Sequence, residues 1–184
     1  LGNDITRVPN LGTLVVVERS APYAESLTFR RIEGSRKVNT EYFTILDGGE
    51  DLLLSNYEDG IKSLCNIMTE TGLDIGTARN LLPEGSKAAG YMMHTVVCRT
   101  SAFNELLLPE SGCYHFETMV YTMLARKGIA ILNEELYKWI PSRKASKWPD
   151  TPFARINGLR WAAGKPPVNV PESATLANGT HFTR

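Results

Sequence analysis

Cysteine is scarce in this sequence. Cys65, Cys98 and Cys113 form an odd set without a C-x-x-C pair, which argues against a disulfide framework or a structural zinc site. A reducing compartment is the simpler reading. Net charge is lacking as well: 20 basic and 20 acidic side chains leave a formal charge of zero. No global field therefore draws the chain to nucleic acid or to an anionic membrane, and any phosphate must be held locally. No apolar run approaches the roughly 18 to 20 residues of a membrane span, and Leu1-Gly2-Asn3-Asp4 lacks the charged and apolar regions of a signal peptide. These absences point to a soluble cytoplasmic or organellar protein. Opening on Leu1 rather than Met, the chain reads as a processed product, a fragment or part of a larger polypeptide.

What is present suffices for a core. At 184 residues one domain with an appendage is expected. Thr13 to Arg19 is a β-branched apolar run, a buried strand or the first turns of a buried helix. Leu27 to Ile32 alternates in polarity and Tyr42 to Leu46 ends at Asp47-Gly48-Gly49, so both read as strands. From Ser55 the period changes to near 3.6, with a capping box at Ser55 to Glu58 and Ile61, Leu64, Cys65 and Met68 on one face, ended by Gly72. Helices are expected next over 74–82 and 87–108, then from Ser111 or Gly112 to Gly128 with Phe116, Met119, Val120, Met123 and Leu124 as its stripe, and over 129–140. After Pro141 the prolines at 149, 152, 166, 167 and 171 predict an extended tail, whose Trp148, Phe153, Ile156, Leu159 and Trp161 give it apolar surface to wrap its own domain or a neighbouring subunit. The pattern predicts an α+β fold: a small, mainly antiparallel sheet packed against a helical layer over 1–140, with the Pro-rich tail over 141–184.

Three stretches in one order carry a resemblance. Ala78-Arg79-Asn80-Leu81-Leu82-Pro83 follows Gly72; Val96-Val97-Cys98-Arg99-Thr100-Ser101 comes next; Cys113-Tyr114-His115-Phe116-Glu117 closes the set. This resembles the C-terminal half of the flavin-dependent thymidylate synthases, where A-R-x-x-L-P is followed by a long helix bearing R-S-L and by a helix entered through an A-Q-x-E-like turn. Upstream, Val17 to Phe29 is similar to that family's R-H-R-x-x-S-x-N-E-x-S-x-R-Y loop only at Arg19 and Glu25, with Ser26 and Phe29 matching if the loop is one residue shorter. Val17, Glu18 and Ala24 stand where the family has arginine, histidine and asparagine.

The resemblance implies FAD as cofactor, methylenetetrahydrofolate and NADPH as co-substrates, and methylation of dUMP to dTMP. Such a site needs planar, always-charged guanidinium groups. By resemblance Arg79, Glu25 and Ser26 contact the pyrimidine nucleotide, Arg19 the flavin or nucleotide, and Arg99 the flavin side, in a homo- or hetero-oligomer that shares sites between subunits. The arginine the family has after its long helix is Leu108 here. Two rival readings stand beside it: a noncatalytic structural or assembly subunit that keeps the fold, and a thiol protease using Cys113, at a predicted helix start, with His181. Plainer readings also exist. Arg79 can snorkel from a packed helix, Arg19, Glu25 and Arg99 can form surface ion pairs, Cys65 and Cys98 read as core, and His94 and His115 read as structural histidines on helices.

Overall fold

A computed structural model describes residues 23–46, 52–81, 91–138, 151–169, 173–175 and 181–183. The fold is α+β, and the chain divides into two compact units. The first draws on 1–15, 37–105 and 124–145; the second on 16–36, 106–123 and 146–184.

The first unit is built on five strands: β1 (Tyr42–Thr44), β2 (Leu52–Leu53), β3 (Ile75–Leu81), β4 (Tyr91–Arg99) and β5 (Ala130–Lys138), in the order β1-β4-β3-β5-β2. Only β3 and β5 pair in parallel; the other neighbours are antiparallel. The sheet is therefore mainly antiparallel, as the sequence predicts. It packs on α2 (Tyr57–Thr71), whose Tyr57, Ile61, Leu64 and Met68 recur at helical spacing and meet Ala78, Val97, Ala130 and Leu136. Gly72, at φ 67°, ends that helix in the left-handed region that glycine enters without a Cβ penalty. The predicted capping box does not form: Asn56 occupies the N-cap and makes no side-chain capping bond.

Within the segments expected as helices over 74–82, 87–108 and 129–140, Ile75–Leu81, Tyr91–Arg99 and Ala130–Lys138 are the strands β3, β4 and β5. Ile75 to Ala78 and Thr95 to Cys98 are buried at every consecutive position. A strand covered on both faces has no alternation to read, and its apolar spacing can mimic a helix. Gly76 fits beneath α2 because it lacks a Cβ, which would lie 2.8 Å from Leu64 and 2.9 Å from the Met68 sulfur. A short α3 (Thr100–Asn104) follows β4.

The second unit contains α1 (Tyr23–Arg36), a π-helical turn (Glu117–Tyr121), which α4 (Thr122–Leu124) continues in sequence, then α5 (Thr151–Ala162) and a hairpin of β6 (Ser173–Thr175) with β7 (His181–Thr183). The helix α1 replaces the strand expected at Leu27 to Ile32. Among its described side chains the buried ones are Thr28, Ile32 and Ser35, at helical spacing, so two polar residues hid the period. Thr28 satisfies its hydroxyl by donating to the Tyr114 carbonyl at 2.6 Å. Phe116, Met119 and Val120 are fully buried as predicted. In the segment expected to be extended, α5 spans twelve residues. Pro152 sits in its first turn, where a missing N–H costs nothing, and Pro166 and Pro167 lie beyond its end. The run Thr13 to Arg19 lies outside the described residues.

Candidate functional site

In the first unit β1, β3 and β5 run in one direction. Leu81 and Leu52 both lie opposite Lys138, so β3 and β5 end level. In sheets with parallel neighbours, the carboxyl ends of strands are where ligands tend to bind. Arg79 stands two positions before the end of β3, just after a register shift against β4 and between two against β5. Such bulges re-aim side chains. Its side chain is 46% exposed, and its Nη2 lies 3.7 Å from the Glu135 carboxylate, a long contact for an ion pair. Residues 45–51 join β1 at one edge of the sheet to β2 at the other.

Arg99 is spent differently. From the end of β4 its Nη1 donates to Glu41 at 3.0 Å, its Nη2 to the Met68 carbonyl at 3.0 Å and, more weakly, to Leu73 at 3.4 Å. Asp74 lies 3.7 Å from its Nε, and the Tyr42 ring lies 4.9 Å from the guanidinium carbon. It closes the carboxyl end of α2, which has no basic residue in its own last turn.

The second unit holds a constellation that the sequence reading passed over. Arg31 on α1 donates to Glu117 Oε1 at 2.8 Å, and the other carboxylate oxygen lies 3.1 Å from His115 Nδ1. Burial lowers the His115 pKa; Arg155 and Arg31 push the same way, and Glu117 opposes them. Arg31 and Glu117 are separated by 86 positions, so no local pattern could have joined them. Glu117 begins the π-turn, and π-turns recur at functional sites. Nearby, buried Asn157 donates to the carbonyls of Cys113 (3.2 Å) and Val168 (3.1 Å) and accepts from the Val168 N–H (2.7 Å), binding the chain beyond α5 to the loop before the π-turn. Asn157→Ala leaves those backbone groups unmatched, and urea denaturation is expected to register a loss of about 1 to 2 kcal/mol.

Of the other predicted residues, Glu25 and Ser26 fall in the first turn of α1, with side chains outside the described residues, as is all of Arg19. His94 lies on β4 rather than on a helix, and His181 on β7. Cys98 is fully buried and burial drives its thiol pKa up; Cys65 is pushed up to about 11, first by burial and then by Glu41. Neither is a thiolate at neutral pH. Half-buried Cys113 does not begin a helix and lines an open hollow with Asn157 and Val168. Among the described residues no group of three or more His, Cys, Asp or Glu side chains could hold a metal, and no helix is long and apolar enough to cross a membrane.

No protein-family profile and no curated protein matches the sequence. Solved structures do match its fold. One is that of residues 1–349 of TarS from S. aureus in complex with UDP-GlcNAc (TM-score 0.51, 15% identity, covering 73% of this chain and 45% of that one). Another is the same protein in complex with UDP (TM-score 0.52, 12% identity, 73% and 44%). The chain thus spans a little under half the length of these solved chains.

These neighbours overturn the resemblance to flavin-dependent thymidylate synthases, and with it the methylation of dUMP. The physical reason lies in the elements: Ala78 to Leu81 lie on β3, where a short helix was expected, and Val96 to Arg99 lie on β4, where the likeness calls for a long helix. The rival assembly-subunit and Cys113–His181 protease readings gain no support from the same neighbours. FAD, methylenetetrahydrofolate and NADPH entered only through that likeness, and no structural feature bears on them.

Proposed function

We propose that this chain is part of a protein that binds a nucleoside-diphosphate sugar and serves in glycosyl transfer, with the diphosphate meeting the carboxyl side of the five-stranded sheet at Arg79. The likeness to a protein solved with UDP-GlcNAc and with UDP carries the reading. It keeps a pyrimidine nucleotide as the partner while replacing the chemistry. Fold alone does not fix function, so the local features matter. A diphosphate needs charge-assisted donors, and Arg79 offers a guanidinium on a bulge, half-exposed and loosely paired.

Acidic groups meet a diphosphate only through a cation. The densest acids in the sequence are Asp47, Glu50 and Asp51, in the segment that joins β1 to β2 and outside the described residues. They are the natural candidates to share a divalent ion with bound nucleotide.

Calorimetry with UDP-GlcNAc and with UDP, in magnesium and in EDTA, tests the proposal. The expected result is measurable binding that Arg79→Ala weakens about tenfold to a hundredfold, equivalent to roughly 1.5 to 3 kcal/mol for a lost charged hydrogen bond. Arg79→Lys should recover part of it, because a point charge replaces the planar fork incompletely. Asp47→Asn with Asp51→Asn should remove any advantage of magnesium over EDTA. Binding indifferent to Arg79 would end the assignment of that residue, and no heat with either nucleotide would end the function.

A further inference from the structure

The entrance to the π-turn sets one acceptor and one donor against the same ring nitrogen. His115 Nδ1 lies 3.1 Å from Glu117 Oε2 and 3.4 Å from the backbone nitrogen of Thr118. The Thr118 N–H can be accepted only by an Nδ1 lone pair; the carboxylate can be met only by an Nδ1–H. One nitrogen cannot serve both. In the neutral state that accepts from Thr118, Glu117 Oε2 is buried without a hydrogen-bond donor. In the protonated state Oε2 gains a charge-assisted partner and the Thr118 N–H, one of the orphan donors at the start of a helical segment, loses its acceptor.

We propose that His115 is a proton-operated switch in the second unit: neutral, it caps the π-turn through Thr118; protonated, it releases that cap and binds Glu117 instead. The groups facing it are identifiable on every neighbouring element. Glu117 belongs to the turn itself, Arg31 comes from α1 and Arg155 from α5. The carboxylate favours the charged ring, both guanidinium groups oppose it, and burial opposes it most, which places the swap on the acid side of an ordinary histidine. Arg31 already holds Glu117 by its other oxygen, so the carboxylate stays fixed while the proton decides which neighbour the ring serves.

The swap has a route to α5. Thr118 donates its hydroxyl to the His115 carbonyl at 3.1 Å and, at 3.4 Å, to the Arg155 carbonyl of α5, and the His115 N–H donates to the Ala154 carbonyl at 2.9 Å. A change at the Thr118 amide is therefore felt where α5 is seated. The sign follows from linkage. Because folding lowers the His115 pKa, the unfolded chain binds more protons below about pH 6.5. The contribution of His115 to stability is present above that pH and is lost as the pH falls through the folded-state value.

A single titration by two-dimensional NMR tests the switch on the wild-type chain. The ring resonances of His115, assigned by their loss in His115→Gln, should titrate below pH 6.5. The Thr118 amide proton should shift and exchange faster with the same midpoint. In Glu117→Gln the midpoint should move further down, since the one group favouring the charged ring is gone. A Thr118 amide that holds its shift and protection while His115 titrates would overturn the proposal, as would a His115 midpoint at or above pH 6.5. The wild-type titration decides the question even if either variant folds poorly.

Discussion

Replacing Arg99 by methionine is expected to lower the stability of the first unit by about 3 kcal/mol, read as a fall in Tm of roughly 6 to 12 °C for a chain of this size. Methionine retains much of the stem's apolar contact and removes the charge, so the loss is electrostatic rather than a packing void. The side chain is only 18% exposed. Its loss strands several groups together: the Met68 and Leu73 carbonyls beside the end of α2, the half-buried Asp74 carboxylate, and the Tyr42 ring. Removing one member of a largely buried network costs more than the pair was worth, because the partners stay desolvated. Lys127, 3.0 Å from Asp74, keeps part of that carboxylate's compensation. Glu41→Gln is the control. Glu41 is 63% exposed, and its bond to Arg99 should be worth about 0.2 to 1 kcal/mol. Equal losses from the two substitutions would show that Arg99 acts only through its surface pair.

That hub also marks the limit of what the sequence could convey. A helix that buries one face announces itself, and α2 was legible in its buried face and in its end at Gly72, though not in its N-cap. Both β3 and β4 were not, because Ile75 to Ala78 and Thr95 to Cys98 are covered on both sides and leave no periodicity to count. In α1 the obstacle was chemical. Thr28 and Ser35 are buried as deeply as Ile32, and a pattern read from apolar residues alone misses two of the three inward positions among the described side chains. The prolines around α5 misled because they were counted instead of located: one is in the first turn and two lie past the end.

The site shows the same division. Arg79 was singled out from a short motif taken for a helix, whereas its exposure comes from a bulge in a strand, a feature set by pairing with β4 and β5. The resemblance to a flavoenzyme failed because spacing along the chain survives a change from helix to strand, while the geometry that spacing was meant to imply does not. Arg31, Glu117 and His115 could not be grouped in advance, since Arg31 lies on an element distant in sequence. Only Glu117 and His115 were close enough to be read together, and two residues without metal-ligand spacing signal little.

Gly158→Ala decides between two opposed effects on α5. In an exposed helix interior, alanine is better than glycine by about 1 kcal/mol, so propensity predicts a gain. Geometry predicts the reverse. A Cβ at position 158 would press on the Thr118 hydroxyl and lie 2.9 Å from the His115 carbonyl oxygen and 3.2 Å from the Met119 nitrogen. The hydroxyl can turn away; the two backbone atoms cannot. The helix must then withdraw from the π-turn. This stretches the 2.9 Å bond from the His115 N–H to Ala154 and loosens the neighbouring Asn157 clamp. Overpacking of this kind costs about 1 to 3 kcal/mol, and with adjacent hydrogen bonds strained, a net loss of about 2 to 3 kcal/mol is expected by urea denaturation. Gly164→Ala in the same unit separates space from backbone conformation. Position 164 has φ 67° and nothing within 4 Å of an added Cβ, so its cost is the left-handed penalty alone, about 1 to 2 kcal/mol. A Gly158→Ala chain as stable as the wild type would mean that α5 does not rest on the π-turn at this distance, and the route from Thr118 to α5 would go with it.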